Sequence, residues 1–167
     1  MSRITMNMVE RKFSPSDIER FASVAPATLR GWRHRGILKG FGEEQANGRW
    51  LYSGTEVLTM AIGQHLMAAA VDLQYGLWIG WTVSIDVSRT VSGIRDDGYT
   101  PRKLMAFWTT EAGNPKIINE GWQLQWKELD NVAAFEEINA SSCTIVNIPV
   151  LASAIPTEFQ KYMRGDE

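Results

Sequence analysis

The chain has 167 residues, of which 44% are hydrophobic and 22% are charged, and it contains seven tryptophans. That apolar share is enough to build a folded core, which excludes a disordered chain. The single cysteine excludes an intramolecular disulfide scaffold, and no run approaches the roughly 18 apolar residues that span a bilayer, so we expect a cytoplasmic protein without a membrane partner.

The formal net charge of -2 is unevenly distributed along the chain. Residues 1–50 contain nine Lys or Arg and five acids, a net charge of +4, whereas the remainder has eight against 14, a net charge of -6. No acid occurs in residues 27–41. A basic segment followed by an acidic one suits phosphate binding by the first and self-association or partner contact by the second.

The first predicted helix begins after Ser14. Serine caps helix N-termini, Pro15 fits the first helical turn, and Asp17 adds an acid to that turn. An apolar stripe at helical spacing follows. We predict a short turn over residues 22–25 before the next helix.

A second helix, about residues 26–36, is predicted from Pro26 at its start and Gly36 at its end. Leu29 and Trp32 fall on one face, which can pack against a core. The other faces are cationic and carry Arg30, Arg33, His34 and Arg35. Two short helices with the charge on the second are typical of units that place a helix in the major groove of DNA.

Residues 39–52 predict a two-stranded wing. The Asn47-Gly48 pair and two earlier glycines supply turn residues, and an apolar strand returns after them. Because phosphate repels acids, we expect the tip of the wing to point away from DNA and to carry Glu43 and Glu44. Arg49 is expected to point toward the DNA backbone.

From Phe13 to Tyr52 the chain resembles the MerR-type winged helix-turn-helix regulators. Their pattern has an aromatic, a short helix, a turn, a Thr-Leu-Arg triplet, a glycine after the second helix, a wing with Asn-Gly and aromatics, and a Ser-capped helix. The matching segments are Phe13, Val24-Ala25-Pro26, Thr28-Leu29-Arg30, Gly36-Ile37-Leu38, Asn47-Gly48-Arg49-Trp50-Leu51-Tyr52 and Ser53-Gly54-Thr55-Glu56.

The chain departs from the family pattern at four points. Gly31 stands where the family usually has an aromatic, and Arg33 stands where it usually has a glutamate. The wing exchanges its arginine and aromatic, and its segment from Lys39 to Gly48 is longer than the family's shortest forms. A glycine inside a helix costs about 1 kcal/mol relative to alanine. Gly31 therefore suggests close packing or a close approach to DNA, and Arg33 makes the second helix more basic than is usual.

The resemblance implies a bacterial or phage-borne transcription regulator that binds double-stranded DNA sequence-specifically as a homodimer, with RNA polymerase as a further candidate partner. Helix 26–36 would enter the major groove, where an arginine can fork onto guanine, and the wing would hold the flanking backbone. The predicted DNA-binding residues are Thr28, Arg30, Arg33, His34, Arg35, Lys39 and Arg49.

Beyond the wing, residues 55–71 predict a helix from apolar residues at helical spacing. Residues 78–88 fit two interpretations. Strict alternation favours a strand, whereas a helical stripe and the family resemblance favour a helix, which we expect. The later predicted elements are strands at 104–108, 116–118, 121–126 and 143–148, a turn at 111–115, and one helix over 149–163.

The predicted fold is mainly α with some β, an N-terminal winged helix-turn-helix followed by a small α+β C-terminal unit. Residues 1–75 would form the DNA-binding domain, 76–98 a connection, and 99–167 a unit for dimerisation, effector binding or partner binding. Tryptophans of the second half could line a small-molecule effector pocket, although such residues more often build a core or a dimer surface.

Enzymatic and metal chemistry find little support in the sequence. No phosphate-cradling glycine loop is present, and Cys143, His34 and His65 lie too far apart in sequence for a zinc site. We expect no metal or cofactor, and an inert thiol at Cys143 within a buried strand. Two alternative functions stay open, a phage-type excisionase or recombination directionality factor that bends DNA, and a protein-binding adaptor on the same fold.

Overall fold

The computed structural model describes residues 8–9, 12–93, 98, 100–111, 122–129 and 143–166. These residues form a mixed α/β fold with six helices and two three-stranded sheets. In chain order the elements are β1 (Lys12–Phe13), α1 (Pro15–Ala22), α2 (Pro26–His34), β2 (Glu43–Glu44), β3 (Trp50–Ser53), α3 (Gly54–Ala68), α4 (Leu73–Ser92), β4 (Leu104–Glu111), β5 (Trp122–Glu128), β6 (Thr144–Asn147), α5 (Ile148–Ala154) and α6 (Thr157–Arg164). Within this described part, every helix is too short or too polar to cross a membrane.

Helix α1 begins where its sequence predicts. Ser14 Oγ accepts a hydrogen bond from the Asp17 N–H at 3.3 Å, and the Asp17 carboxylate accepts one from the Ser14 N–H at 2.8 Å. This reciprocal cap pairs donors that a helix N-terminus otherwise leaves without a partner. Helix α2 begins at Pro26 as predicted but ends at His34, because Gly36 then adopts a left-handed φ of 74° that terminates the helix.

Strands β2 and β3 form the predicted hairpin, and β1 pairs with the other edge of β3. The turn lies at residues 45–49, where Gly48 has a φ of 74° and the Asn47 side chain accepts a backbone N–H. The expectation that Glu43 and Glu44 occupy the tip is wrong, since both residues lie in β2. The asparagine and glycine make the turn, which leaves the two acids to pair with β3.

Residues 78–88 lie inside helix α4, which confirms the helical interpretation. A strand would require Trp81 and Ile85 to be buried and the small residues between them to face solvent. The helix does the reverse, because Trp81 is 54% exposed and Ile85 42%, whereas Gly80 and Ser84 are buried. Packing of these small residues against a neighbouring helix therefore decides between the two interpretations.

That neighbour is helix α3, which lies antiparallel to α4 at very close range. A Cβ added at Gly80 would lie 2.8 Å from the carbonyl oxygen of Thr59. One added at Gly63 would lie 2.8 Å from the side chain of Leu77. Only glycine permits backbones to approach this closely, so these positions set the distance between the two longest helices.

The C-terminal part combines an antiparallel sheet in the order β5-β4-β6 with two helices. The strands at 104–108, 121–126 and 143–148 are confirmed within a few residues, whereas the strand at 116–118 and most of the turn at 111–115 lie outside the described residues. The single helix over 149–163 is wrong. Pro156 lacks the N–H that would continue α5, and Ile155 before it takes an extended ψ of 135°, so the chain breaks into α5 and α6.

Helix α6 packs back onto the first helix of the chain through a cluster of aromatic rings. Phe13 meets Tyr162 edge to face, with ring centroids 5.1 Å apart, and Phe21 lies 5.2 Å from Phe159. All four rings are at least 95% buried. One hydrophobic cluster thus contains residues of α1, α2, α3, α4 and both C-terminal helices.

A buried ion pair connects α4 to the sheet. The fully buried Asp86 carboxylate accepts hydrogen bonds from the Arg102 backbone N–H at 2.8 Å and from its guanidinium at 2.7 and 3.0 Å. The guanidinium also lies 4.8 Å from the ring centroid of Trp126 in β5. A buried carboxylate requires such charged donors, so this pair anchors the start of β4 against α4.

Gly80→Ala should lower the free energy of unfolding by about 1–3 kcal/mol, because its Cβ meets a backbone oxygen that cannot move alone. Urea denaturation measures this loss. Gly31→Ala is the matched control, since a Cβ at Gly31 meets no atom within 4 Å. Equal stabilities for the two variants would contradict the close approach of α3 and α4.

Candidate functional site

A groove of about 800 Å³ lies between the start of α1, one face of α2 and the hairpin strand β3. Its lining includes apolar side chains such as Leu29 and Leu51. Four basic side chains line it as well, namely Arg30, Arg33, His34 and Arg49. No acid occurs among the described residues that line this groove. The groove is therefore a concave surface with an apolar part and a cationic rim.

The packing of α2 sets which of its side chains face the groove. Leu29 is 2% exposed and Trp32 is 3% exposed, so the helix buries the face that carries them, as its sequence predicts. Arg30 and His34 are four residues apart, and both are exposed. Side chains at this spacing lie one above the other on a helix, so the two basic groups form a single row.

The other three predicted residues do not line the groove. Thr28 is exposed on α2, and Arg35 is exposed just after the helix ends, where its Nε donates to the Gly31 carbonyl at 3.3 Å. Lys39 is exposed and lines an adjoining hollow of about 400 Å³, which shares Arg33 and Trp50 with the groove. Four of the seven predicted residues thus meet in one place, and a fifth lies beside it.

The protein itself binds the guanidinium of Arg33 at several points. The group donates to the Phe41 carbonyl at 3.2 and 3.3 Å and to the Tyr52 hydroxyl at 2.7 Å. It also lies over the Trp50 ring, 3.3 Å from the ring centroid. Arg33 is only partly exposed, whereas Arg30, His34 and Arg35 are exposed.

Sequence analysis missed the three partners of Arg33. Trp50 and Tyr52 are two residues apart in β3, and side chains at that spacing lie on the same face of a strand. This alternation could have identified two aromatic rings that face one basic residue. No comparable signal exists for Phe41, which contributes through its backbone carbonyl.

Gly31 has no packing partner that would explain a glycine in the middle of α2. An added Cβ would meet no atom within 4 Å. The expectation of close packing at Gly31 is therefore wrong. A close approach to DNA stays as the prediction for this position.

Cys143 lies one residue before β6 and is half-buried rather than inside a buried strand. Burial raises the pKa of its thiol, which lowers the fraction of reactive thiolate at neutral pH. Among the described residues, no three His, Cys, Asp or Glu side chains lie close enough to hold a metal ion.

Comparison with known proteins assigns no family to the chain. No protein-family model matches it, and no curated protein matches it either.

Proposed function

We propose that this protein is a transcription regulator that binds double-stranded DNA sequence-specifically, in the manner of the MerR-type regulators that it resembles. Helix α2 would enter the major groove, and the hairpin of β2 and β3 would hold the flanking backbone as a wing. One observation carries the proposal. Arg30, His34 and Arg49 line a single groove from two separate elements, and no described residue of that lining is acidic.

The dimensions of α2 suit a major groove. Its nine residues form about 13 Å of helix with a diameter of about 10–12 Å, and the major groove of B-DNA, about 12 Å wide, admits one such helix. Arg30 is exposed, and its planar fork matches the O6 and N7 acceptors of guanine. His34, one turn further along, would contact the next base or a phosphate.

Arg49 suits a phosphate contact rather than a base contact. It lies at the end of the hairpin turn, is exposed, and lines the groove beside α2. Backbone contacts from a second element fix the orientation of a recognition helix without selecting a sequence. Thr28, Arg35 and Lys39 are exposed as well, and they would add further phosphate contacts.

A single unit of this size contacts few bases, so useful affinity requires two copies on related half-sites. We therefore propose a homodimer on an inverted repeat, with RNA polymerase as the candidate partner of the bound complex.

The first test is selection of bound fragments from randomised and genomic DNA at two salt concentrations. Inverted half-sites whose binding weakens as salt rises support the proposal. A row of adjacent sites would indicate a DNA-bending factor, and no enrichment would indicate a protein-binding adaptor.

Arg30→Ala should weaken binding to the selected site about tenfold to a hundredfold and relax the base preference at one position. Because Arg30 is exposed, the melting temperature should not change. Fluorescence anisotropy and thermal denaturation measure the two effects. Lys161→Ala removes the same charge from an exposed position on α6 and is the control. Equal losses in both variants would mean that net charge alone governs binding.

Gly31→Ala should stabilise the protein by about 0.5–1 kcal/mol, because alanine favours a helix and the new Cβ meets open space. The same variant should bind the selected DNA more weakly, since the added methyl group would hold α2 away from the base edges in the major groove. Urea denaturation and DNA titration on one preparation give both values. Higher stability with unchanged affinity would show that this face of α2 does not approach DNA closely.

A further inference from the structure

We propose that Arg33 is a positioning residue. It holds the chain just before β2, at the base of the hairpin, against α2, so that Arg30 and Arg49 can contact one DNA molecule together. The inference rests on the proposed function and replaces the prediction that Arg33 itself contacts DNA. It assigns different roles to two arginines that lie three residues apart on one helix.

Three of the five N–H groups of the Arg33 guanidinium donate to acceptors within the protein. Its Nη2 donates to the Tyr52 hydroxyl at 2.7 Å, and Nη1 and Nη2 share the Phe41 carbonyl at 3.3 and 3.2 Å. The Trp50 ring covers one face of the plane at 3.3 Å. A planar cation held by an aromatic face and by two acceptors is fixed in both position and orientation.

The clamp acts on one peptide unit, the one that joins Phe41 to Gly42. Arg33 of α2 binds its carbonyl oxygen, and Glu56 of α3 accepts its N–H at 2.8 Å. In a trans peptide these two groups point in opposite directions. A cation on one helix and an anion on the next therefore hold this peptide from both sides.

Glu56 is itself fixed by the structure that starts α3. Its second carboxylate oxygen accepts the Ser53 N–H at 2.7 Å, in the reciprocal cap that begins the helix. Ser53 is also the last residue of β3. The Glu56 carboxylate thus binds both ends of the hairpin to the start of α3. It accepts the N–H of Gly42, just before β2, and the N–H of Ser53, at the end of β3.

Gly42 makes this arrangement specific to one backbone path. Its φ is 71°, and an added Cβ would lie 2.9 Å from the Tyr52 ring and 3.0 Å from the Leu51 carbonyl oxygen. Glycine alone adopts this φ beside such close neighbours. The chain therefore leaves α2, passes the clamp and starts β2 along a single path, which sets where Arg49 lies.

Lysine distinguishes a clamp from a charge contact, because Arg33→Lys keeps the positive charge but loses the planar fork and its stacking. If Arg33 only neutralised a phosphate, this variant would retain most of the affinity. If it contacted a base, the preference at one position would change. If Arg33 is a clamp, the Arg33→Lys variant should lose the backbone contact made by the hairpin but keep the base preference of wild type.

The experiment compares wild type with Arg33→Lys, Arg49→Ala and the double variant on the selected DNA. Tyr52→Phe is the milder second variant, because it keeps the buried ring and removes only the hydroxyl. We expect Arg33→Lys to weaken binding about tenfold. The slope of log affinity against log salt concentration should fall by the equivalent of about one phosphate contact. Hydroxyl-radical protection of the DNA backbone beside the major-groove site should be lost. The double variant should bind no more weakly than Arg49→Ala alone, because both changes remove the same contact.

A second measurement needs no DNA. Hydrogen exchange of the Gly42 and Gln45 amides should be at least tenfold faster in Arg33→Lys than in wild type, while exchange within α3 is unchanged. Unchanged exchange at these amides would overturn the clamp. Faster exchange with an unchanged footprint would overturn its positioning role, and wild-type protein that selects no DNA would overturn the proposed function instead.

Discussion

The close contact between helices α3 and α4 is the constraint on which the rest of the structure depends. Gly80 lies against the Thr59 carbonyl, at a distance that no larger residue permits without a shift. Helix α3 carries the hairpin at its N-terminus through Ser53 and Glu56. Helix α4 holds the C-terminal sheet through the buried carboxylate of Asp86. A change in the distance between the two helices would therefore move the hairpin relative to the sheet.

The C-terminal helices complete the core beneath the two N-terminal helices. Phe159 and Tyr162 of α6 pack against Phe13 and Phe21. The apolar face of α1, near the start of the chain, is therefore covered by a helix near its end. A chain without α6 would expose these aromatic rings to water, at a cost of several kcal/mol. Distant parts of the sequence thus contribute to the core that supports the groove beside α2.

Within the groove, residues of one chemical type have different surroundings. Arg30 is exposed, whereas Arg33 binds a carbonyl, a hydroxyl and an aromatic face inside the protein. The proposed DNA reading by Arg30 and the proposed clamp by Arg33 follow from that difference in partners. Trp50 of β3 is part of the same geometry, since its ring lies against the guanidinium of Arg33.

Local patterns in the sequence were enough to determine α1 with its Ser14 cap, the Asn47-Gly48 turn and the cationic face of α2, because each depends on residues within a few positions of one another. Tertiary contacts decided the rest. Residues 78–88 are helical because their small residues pack against α3. Arg33 binds within the protein because the Phe41 carbonyl and the Tyr52 hydroxyl accept its N–H groups. Such contacts join residues far apart in the chain, and no local pattern contains them.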